Sequence, residues 1–333
     1  MNKPKVVAEE YIQFLVASPV AVSGTEAARV HAGPPVAHDA YTRLLHRLEP
    51  DAASLWQEAR SLVTLTSGVL VLDDTTLDKP YARRMGLVTR HWSGKHHAVV
   101  SGINLLTLLW SDGQALVPVD YRLYDKATDE LSKNDHFQAL LRAARQRGFA
   151  PRCVLFDSWY ASLANLKQVR ACGWPWLTRL KRNRRVNPDG QGLRPLQECA
   201  LTEGGQRVWL QGYGFVRVFR FAAPDGGTEG AAYWASSDPD LTEAQRAPLA
   251  ALAWGIEQYH RGLKQCCGVE KAQVRAARAQ RNHIGCALRA FLRIEAQRLQ
   301  TGRSWYQAKK QLLRDAIRTY LANPIYLLHP ATA

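Results

Sequence analysis

Apolar and polar positions change rhythm several times along the chain. Residues 1–66 have helical spacing: a first helix fits Val6 to Val16, a linker rich in Pro and Gly covers 18–36, and two short helices fit 38–48 and 51–65. Pro50 separates the last two, with Asp51 placed as an N-cap. From residue 67 the runs shorten and become continuous. Gly68-Val-Leu-Val-Leu72 reads as a buried strand ending at Asp73-Asp74-Thr75-Thr76, and Ala98 to Leu109 as a second strand. After a turn at Ser111-Asp112-Gly113, Ala115 to Tyr124 gives a third, on which Pro118 predicts an edge position. Asn134 to Arg147 is a helix, Cys153 to Phe156 a strand, Leu163 to Ala171 a helix, and Trp176 to Leu180 a strand. Three strands, helix, strand, helix, strand predicts a mixed α/β sheet with acidic residues at the ends of the first and fourth strands.

The rhythm then breaks. Lys181-Arg-Asn-Arg-Arg185 is a basic run, Val208 to Phe221 a hairpin around Gly212-Tyr-Gly214, and Gly226-Gly227 a further turn, so 183–231 reads as a β-rich insertion. Tyr233 to Ser236 suits a strand returning to the main sheet. Asp240 to Ala247 is a short helix punctuated by Pro248, and helices fit 279–300 and 304–322, the last opened by a Ser304/Gln307 capping box. The expected division is a helical region at 1–66, a catalytic core at 67–182 and 232–300, the insertion at 183–231, and a helical region at 301–333.

Between these helices lies Ala251 to Arg275. Its apolar positions Leu252, Ile256, Tyr259 and Leu263 form one stripe, and Glu257, His260, Arg261 and Lys264 form a second beside it. The second stripe is either a solvated face with a Glu257–Arg261 pair or one carboxylate with three cationic groups, suited to a metal ion and a phosphate backbone.

Composition narrows the choice. Apolar content of 46% and charged content of 22% over 333 residues describe a globular chain with a large core, and a formal net charge of +15 favours a polyanion partner. The six cysteines make no CxxC pair, which excludes the usual zinc and disulfide frameworks and predicts reduced thiols in a cytosol. The N-terminal residues MNKPKVVAEEY do not read as a signal peptide, and no apolar run reaches membrane-spanning length.

Three acids carry the candidate chemistry. Asp74 and Asp157 each follow an apolar strand, and Glu257 sits on a helix edge. A strand-end aspartate also caps turns, as Asp157 followed by Ser158 would. If the three converge, hard carboxylate oxygens without Cys or His favour Mg²⁺ or Mn²⁺. Two such ions activate a water or a 3′ hydroxyl for in-line phosphoryl displacement.

Leu72-Asp-Asp-Thr-Thr76, Val154-Leu-Phe-Asp-Ser158 and Trp254-Gly-Ile-Glu-Gln-Tyr-His-Arg-Gly-Leu-Lys264 together resemble the DDE transposases of bacterial insertion sequences whose glutamate lies in a Tyr-x-x-Arg-x-x-x-Glu-x-x-x-x-x-x-Lys signature. Glu257 and Lys264 keep that spacing, while the signature's tyrosine and arginine positions hold Ala250 and Ala253. The resemblance implies an α/β fold with an RNase H-like, retroviral-integrase-like core carrying a β-rich insertion between the second and third acids. Asp73 and Asp74 both compete for the place of the first acid; the resemblance favours Asp74, because the family's acid directly precedes Thr-Thr, and so implies Asp74, Asp157 and Glu257 as catalytic metal ligands for Mg²⁺ or Mn²⁺, two ions. It places Lys264 beside a phosphate near the cleaved bond, with Arg261 near it. Lys181, Arg182, Arg184 and Arg185 would track phosphates, or form a solvated basic loop. Trp209 reads first as a core tryptophan of its hairpin, and in a DNA complex as a platform for an unpaired base. The implied partners are double-stranded DNA, both terminal inverted repeats and target, with a homodimer in the DNA complex and no membrane. The implied location is a bacterial cytoplasm, at the nucleoid when DNA is bound. The competing expectations are an RNase H-like nuclease without strand transfer and a transposase-derived DNA-binding protein.

Overall fold

A computed structural model describes residues 5–19, 22–93, 97–222 and 230–324. In chain order the elements are α1 (Ala8–Ala17), α2 (Gly24–Arg29), α3 (Ala40–Arg47), α4 (Ala53–Ala59), β1 (Val69–Asp78), β2 (Thr89–Ser93), β3 (Ala98–Ser111), β4 (Val117–Tyr124), α5 (Lys133–Gln146), β5 (Cys153–Phe156), α6 (Leu163–Ala171), β6 (Trp176–Leu180), β7 (Arg185–Asn187), β8 (Arg194–Pro195), β9 (Gln206–Leu210), β10 (Gly214–Phe221), β11 (Ala232–Ser236), α7 (Glu243–Leu252), α8 (Trp254–Cys267), α9 (Ala277–Thr301) and α10 (Trp305–Ala322). They form two compact units, Met1–Asp51 with Arg261–Ala333, and Ala52–His260.

The unit Ala52–His260 is built on a mixed sheet. β1 is its central strand, antiparallel to β3 and parallel to β5, and β5 is parallel to β6. Leu70 and Leu72 are fully buried, as expected of a strand flanked on both sides and covered on both faces. β4 pairs only with β3, so Pro118 does sit on an edge, beside an irregularity between Leu108 and Leu109. β11 returns to pair antiparallel with β6 and continues into β10, β9, β7 and β8. The hairpin β9–β10 alternates cleanly: Val208, Leu210, Val216 and Val218 are fully buried, while Trp209 and Phe215 face out.

Three sequence expectations need correction here. β1 does not stop at Leu72; it runs to Asp78, because the 14-residue β3 supplies partners as far as Gly102. Asp73 and Asp74 are therefore strand residues on opposite faces, not a strand-end loop. α7 passes through Pro248 to Leu252, and the break comes at Ala253; Thr242 and Gln245 start the helix with a capping box, and proline's fixed φ is compatible with a helix once one backbone bond is given up. α4 begins at Ala53, so the cap position falls on Ala52, one residue after Asp51. The short β2 and α2 were not anticipated, and the Gly226-Gly227 turn lies outside the described residues.

In the other unit α1 packs on α9. Tyr11 Oη lies 2.9 Å from His283 Nδ1, and Arg293 pairs with Glu9. Lys309 Nζ donates to the carbonyls of Leu15, Val16 and Ser18, closing the C-terminal end of α1. α10 opens with the predicted Ser304/Gln307 box. All six cysteines are free and buried.

Candidate active site

The acids Asp74, Asp157 and Glu257 all belong to the unit Ala52–His260. Leu72 of β1 is in register with Phe156 of the parallel β5, so the two strands deliver Asp73-Asp74 and Asp157 to the same end of the sheet. Phe156 packs edge-on against Phe137 of α5, and Phe137 stacks on Tyr160 with ring centroids 5.3 Å apart. That aromatic wedge aims Tyr160 at β1. Its hydroxyl donates to Asp74 Oδ1 at 2.5 Å, while its backbone N–H is received by Asp157 Oδ1 at 3.3 Å. One tyrosine thus touches both strand acids. Asp157 also accepts the Trp159 N–H at 2.9 Å, the turn-capping role its sequence allowed.

Asp74 is heavily committed. Asn104 Nδ2 donates to Oδ2 at 2.5 Å and Lys133 Nζ at 2.7 Å, with both members of the ion pair mostly buried. Burial opposes ionisation, but Lys133 and the three hydrogen bonds outweigh it, and the Asp74 pKa lies below the usual carboxylate value. Asp73, on the opposite face of the strand, is pushed well above that value by burial and by the charges of Asp74, Asp157 and Glu257. Asp157 is also raised, by desolvation first and by Asp74 in addition. Glu257 is exposed on α8. Among the described residues no group of three or more His, Cys, Asp or Glu side chains forms a preassembled metal cluster. Asp74 faces the positive charge of Lys133.

On α8 the apolar stripe is in place: Ile256, Tyr259 and Leu263 are buried. The ionisable stripe is not a uniformly solvated face, because His260 is 5% exposed, packed beside the ring of Tyr259. Arg261 is exposed, and Lys264 Nζ lies 2.9 Å from Glu270; both belong to the unit completed by Met1–Asp51. Lys181, Arg182 and Arg185 are exposed and Arg184 is half-buried, its pKa lowered by that burial. Lys181 and Arg182 line a shallow concavity of about 550 Å³ with Asn183 and Gln197. Trp209 is 45% exposed and meets Phe215 edge-on, with Arg207 over the Phe215 ring. It is not the core tryptophan that its hairpin position suggested; strand alternation turns it outward while Val208 and Leu210 fill the core.

Sequence reasoning missed Asn104, Lys133, Tyr160, Trp159 and His91. Lys133 offered one signal: it occupies the first position of α5, where the helix dipole disfavours a cation, and such a residue needs a nearby anion. His91 on β2 has a lowered pKa through burial and the Lys133 charge.

A model of the family described as DDE superfamily endonuclease matches residues 8–217, well over half of the chain. The chain belongs to the DDE superfamily endonucleases. The match includes Asp74 and Asp157; Glu257 lies beyond it. The fold of this endonuclease is similar to that of the piggyBac transposase in its synaptic complex with hairpin DNA, with a TM-score of 0.54 and 12% identity over 100% of this chain and 78% of that one. Weaker similarities are to a Drosophila P element transposase strand transfer complex, with a TM-score of 0.25 and 11% identity over 52% of this chain and 37% of that one, and to the Mos1 strand transfer complex, with 0.20 and 13% over 52% and 58%. No curated protein matches the sequence. The endonuclease has the RNase H-like core expected of its family, with strands in the order β4-β3-β1-β5-β6 and a β-rich extension beyond β11. It is a phosphoryl-transfer enzyme acting on DNA.

Proposed function

We propose that this endonuclease is a transposase that cleaves DNA at the ends of a mobile element and joins those ends to a target, by cut-and-paste. The observation that best supports the reading is the Tyr160 bridge, which ties an acid of β1 to the acid after the adjacent parallel β5. Asp74, Asp157 and Glu257 are the catalytic acids and would hold Mg²⁺ or Mn²⁺, two ions in all. The donor set fits such ions: its oxygens are hard, and Asp74, Asp157 and Glu257 add like charge to the burial that already raises the neighbouring Asp73, charge that a divalent cation would relieve. A bound divalent ion supplies Lewis acidity toward a phosphoryl oxygen and lowers the pKa of the attacking water or hydroxyl.

The chain's own groups do the rest. Asp157 fixes the turn that carries Trp159 and Tyr160, and Tyr160 orients Asp74. Lys133 keeps Asp74 ionised. Lys181, Arg182, Arg184 and Arg185 track phosphates of double-stranded DNA, with Arg261 and Lys264 contributing nearer the cleaved bond. Trp209 stacks on an unpaired base. The partners are the terminal inverted repeats, the target DNA and a second copy of the chain. The helical region 1–66 serves end binding or dimerisation, the core at 67–182 and 232–300 does the chemistry, the insertion at 183–231 contacts DNA, and 301–333 completes the helical part. The setting is a bacterial cytoplasm; among the described residues no helix is long and apolar enough to cross a membrane.

The test uses purified protein, Mn²⁺ and DNA carrying the inverted repeats that flank the gene. The parent cleaves and joins these ends, and Asp74→Ala, Asp157→Ala and Glu257→Ala do neither. Variants that cleave as well as the parent would remove the acids from the mechanism, and cleavage without joining would leave a nuclease. Running Asp73→Ala alongside separates the two acids of β1.

A further inference from the structure

Trp159 stands two residues past Asp157 and is 49% exposed, in a part of the sheet where the neighbouring aromatics Phe137, Phe156 and Tyr160 are buried. The core does not need its indole. Yet the residue is firmly held. Its N–H is received by Asp157 Oδ1, and its ring meets Tyr160 edge-on, with centroids 4.8 Å apart and planes at 74°. Tyr160 is in turn tied to Asp74. Lys133 Nζ lies over the Trp159 ring, 5.3 Å from its centroid, while it pairs with Asp74. An exposed indole is therefore anchored by the two strand acids and accompanied by a cation.

Those features suit one kind of ligand. A nucleobase offers a flat π-face whatever its identity, and a phosphate beside it offers the charge that an ammonium at the ring would meet. In a closed duplex each internal base is covered by its neighbours, so a platform beside the acids can be used only by a base that has left the stack. We propose that Trp159 is a stacking platform for an unpaired nucleobase next to the phosphate being cleaved. The proposal rests on the reading that the substrate is DNA. It gives the site a preference for ends that are frayed or already single-stranded, set by stacking and not by hydrogen-bonded readout.

Binding is measured on the full chain in EDTA at low salt, so that nothing is cut. The probes are a short single-stranded oligonucleotide containing 2-aminopurine and a blunt duplex of the same sequence. Trp159→Ala loses about ten-fold in affinity for the single strand, with the duplex affinity unchanged, and weakens the 2-aminopurine quench seen with the parent. Trp159→Phe keeps most of both. Equal losses on the two DNAs, or no loss on either, would overturn the stacking role, as would an unchanged quench in Trp159→Ala. A parent that binds neither DNA would overturn the DNA reading itself; a parent that binds both, matched by Trp159→Ala, overturns only the platform.

Discussion

Replacing Lys133 by Met keeps most of its alkyl packing and removes the cation that, among the described residues, pairs with Asp74. The Nζ–Oδ2 distance is 2.7 Å, and the two side chains are 17% and 19% exposed. Asp74 would then hold a largely buried charge with only Asn104 and Tyr160 as donors. Breaking a buried pair from one side costs about 3–5 kcal/mol, and the residual exposure here argues for about 3. Asp74→Asn should cost a similar amount, while the double variant should recover about 2 kcal/mol of the summed loss, because neither charge is then stranded. Two compact units need not unfold together, so the readout is hydrogen exchange in peptides covering β1 and β5, which reports local opening free energy. The pH dependence has a definite sign. The folded-state pKa of Asp74 is depressed, so the pair's stabilisation is complete above the unfolded carboxylate value and is lost as pH falls through the lower folded value. The gap between parent and Lys133→Met should therefore close below about pH 4. Exchange rates in Lys133→Met equal to the parent's at pH 7, or strictly additive losses in the double variant, would refute this account.

Asp73 shows the opposite sign. Its pKa is raised, so the folded state holds the proton more tightly and stability falls as pH rises above the unfolded value. Asp73→Asn should raise the melting temperature at pH 8 by a few degrees, for about 1 kcal/mol, and by less at pH 4. Lys309→Met strips three carbonyls at the end of α1 of their donor and should cost about 2–3 kcal/mol, seen as faster exchange in α1 peptides. DNA binding should weaken with salt at a log–log slope of roughly −0.9 per phosphate neutralised, and a flat response would remove the argument from net charge.

Elements whose determinants are local were legible in the sequence. β5, α6 and β6 follow from short apolar runs between turn residues, and α10 from the Ser304/Gln307 box. What escaped depends on distant partners. β1 looked finished at Leu72 because Asp73 to Asp78 is polar, and only pairing with β3 explains its extension. β2 is short and polar, and exists through β3 alone among strand partners. The acids at 74 and 157 could be chosen from their strands, but Lys133 lies 59 residues from Asp74 and Tyr160 86, distances over which no periodicity speaks. Trp209 was misread because a hairpin's register, and hence which face is wet, was not yet settled.

The buried thiols have a practical consequence. Cys153, Cys172 and Cys199 fall in one compact unit and Cys266, Cys267 and Cys286 in the other. Burial pushes the Cys153 thiol up to about 12 and raises that of Cys267 as well, which suppresses the reactive thiolate in the native state. Alkylation of the intact protein should be slow at every one of these sulfurs. Each label acquired then records an opening event, and mass spectrometry of labelled peptides times the two halves separately, with no probe engineered into either.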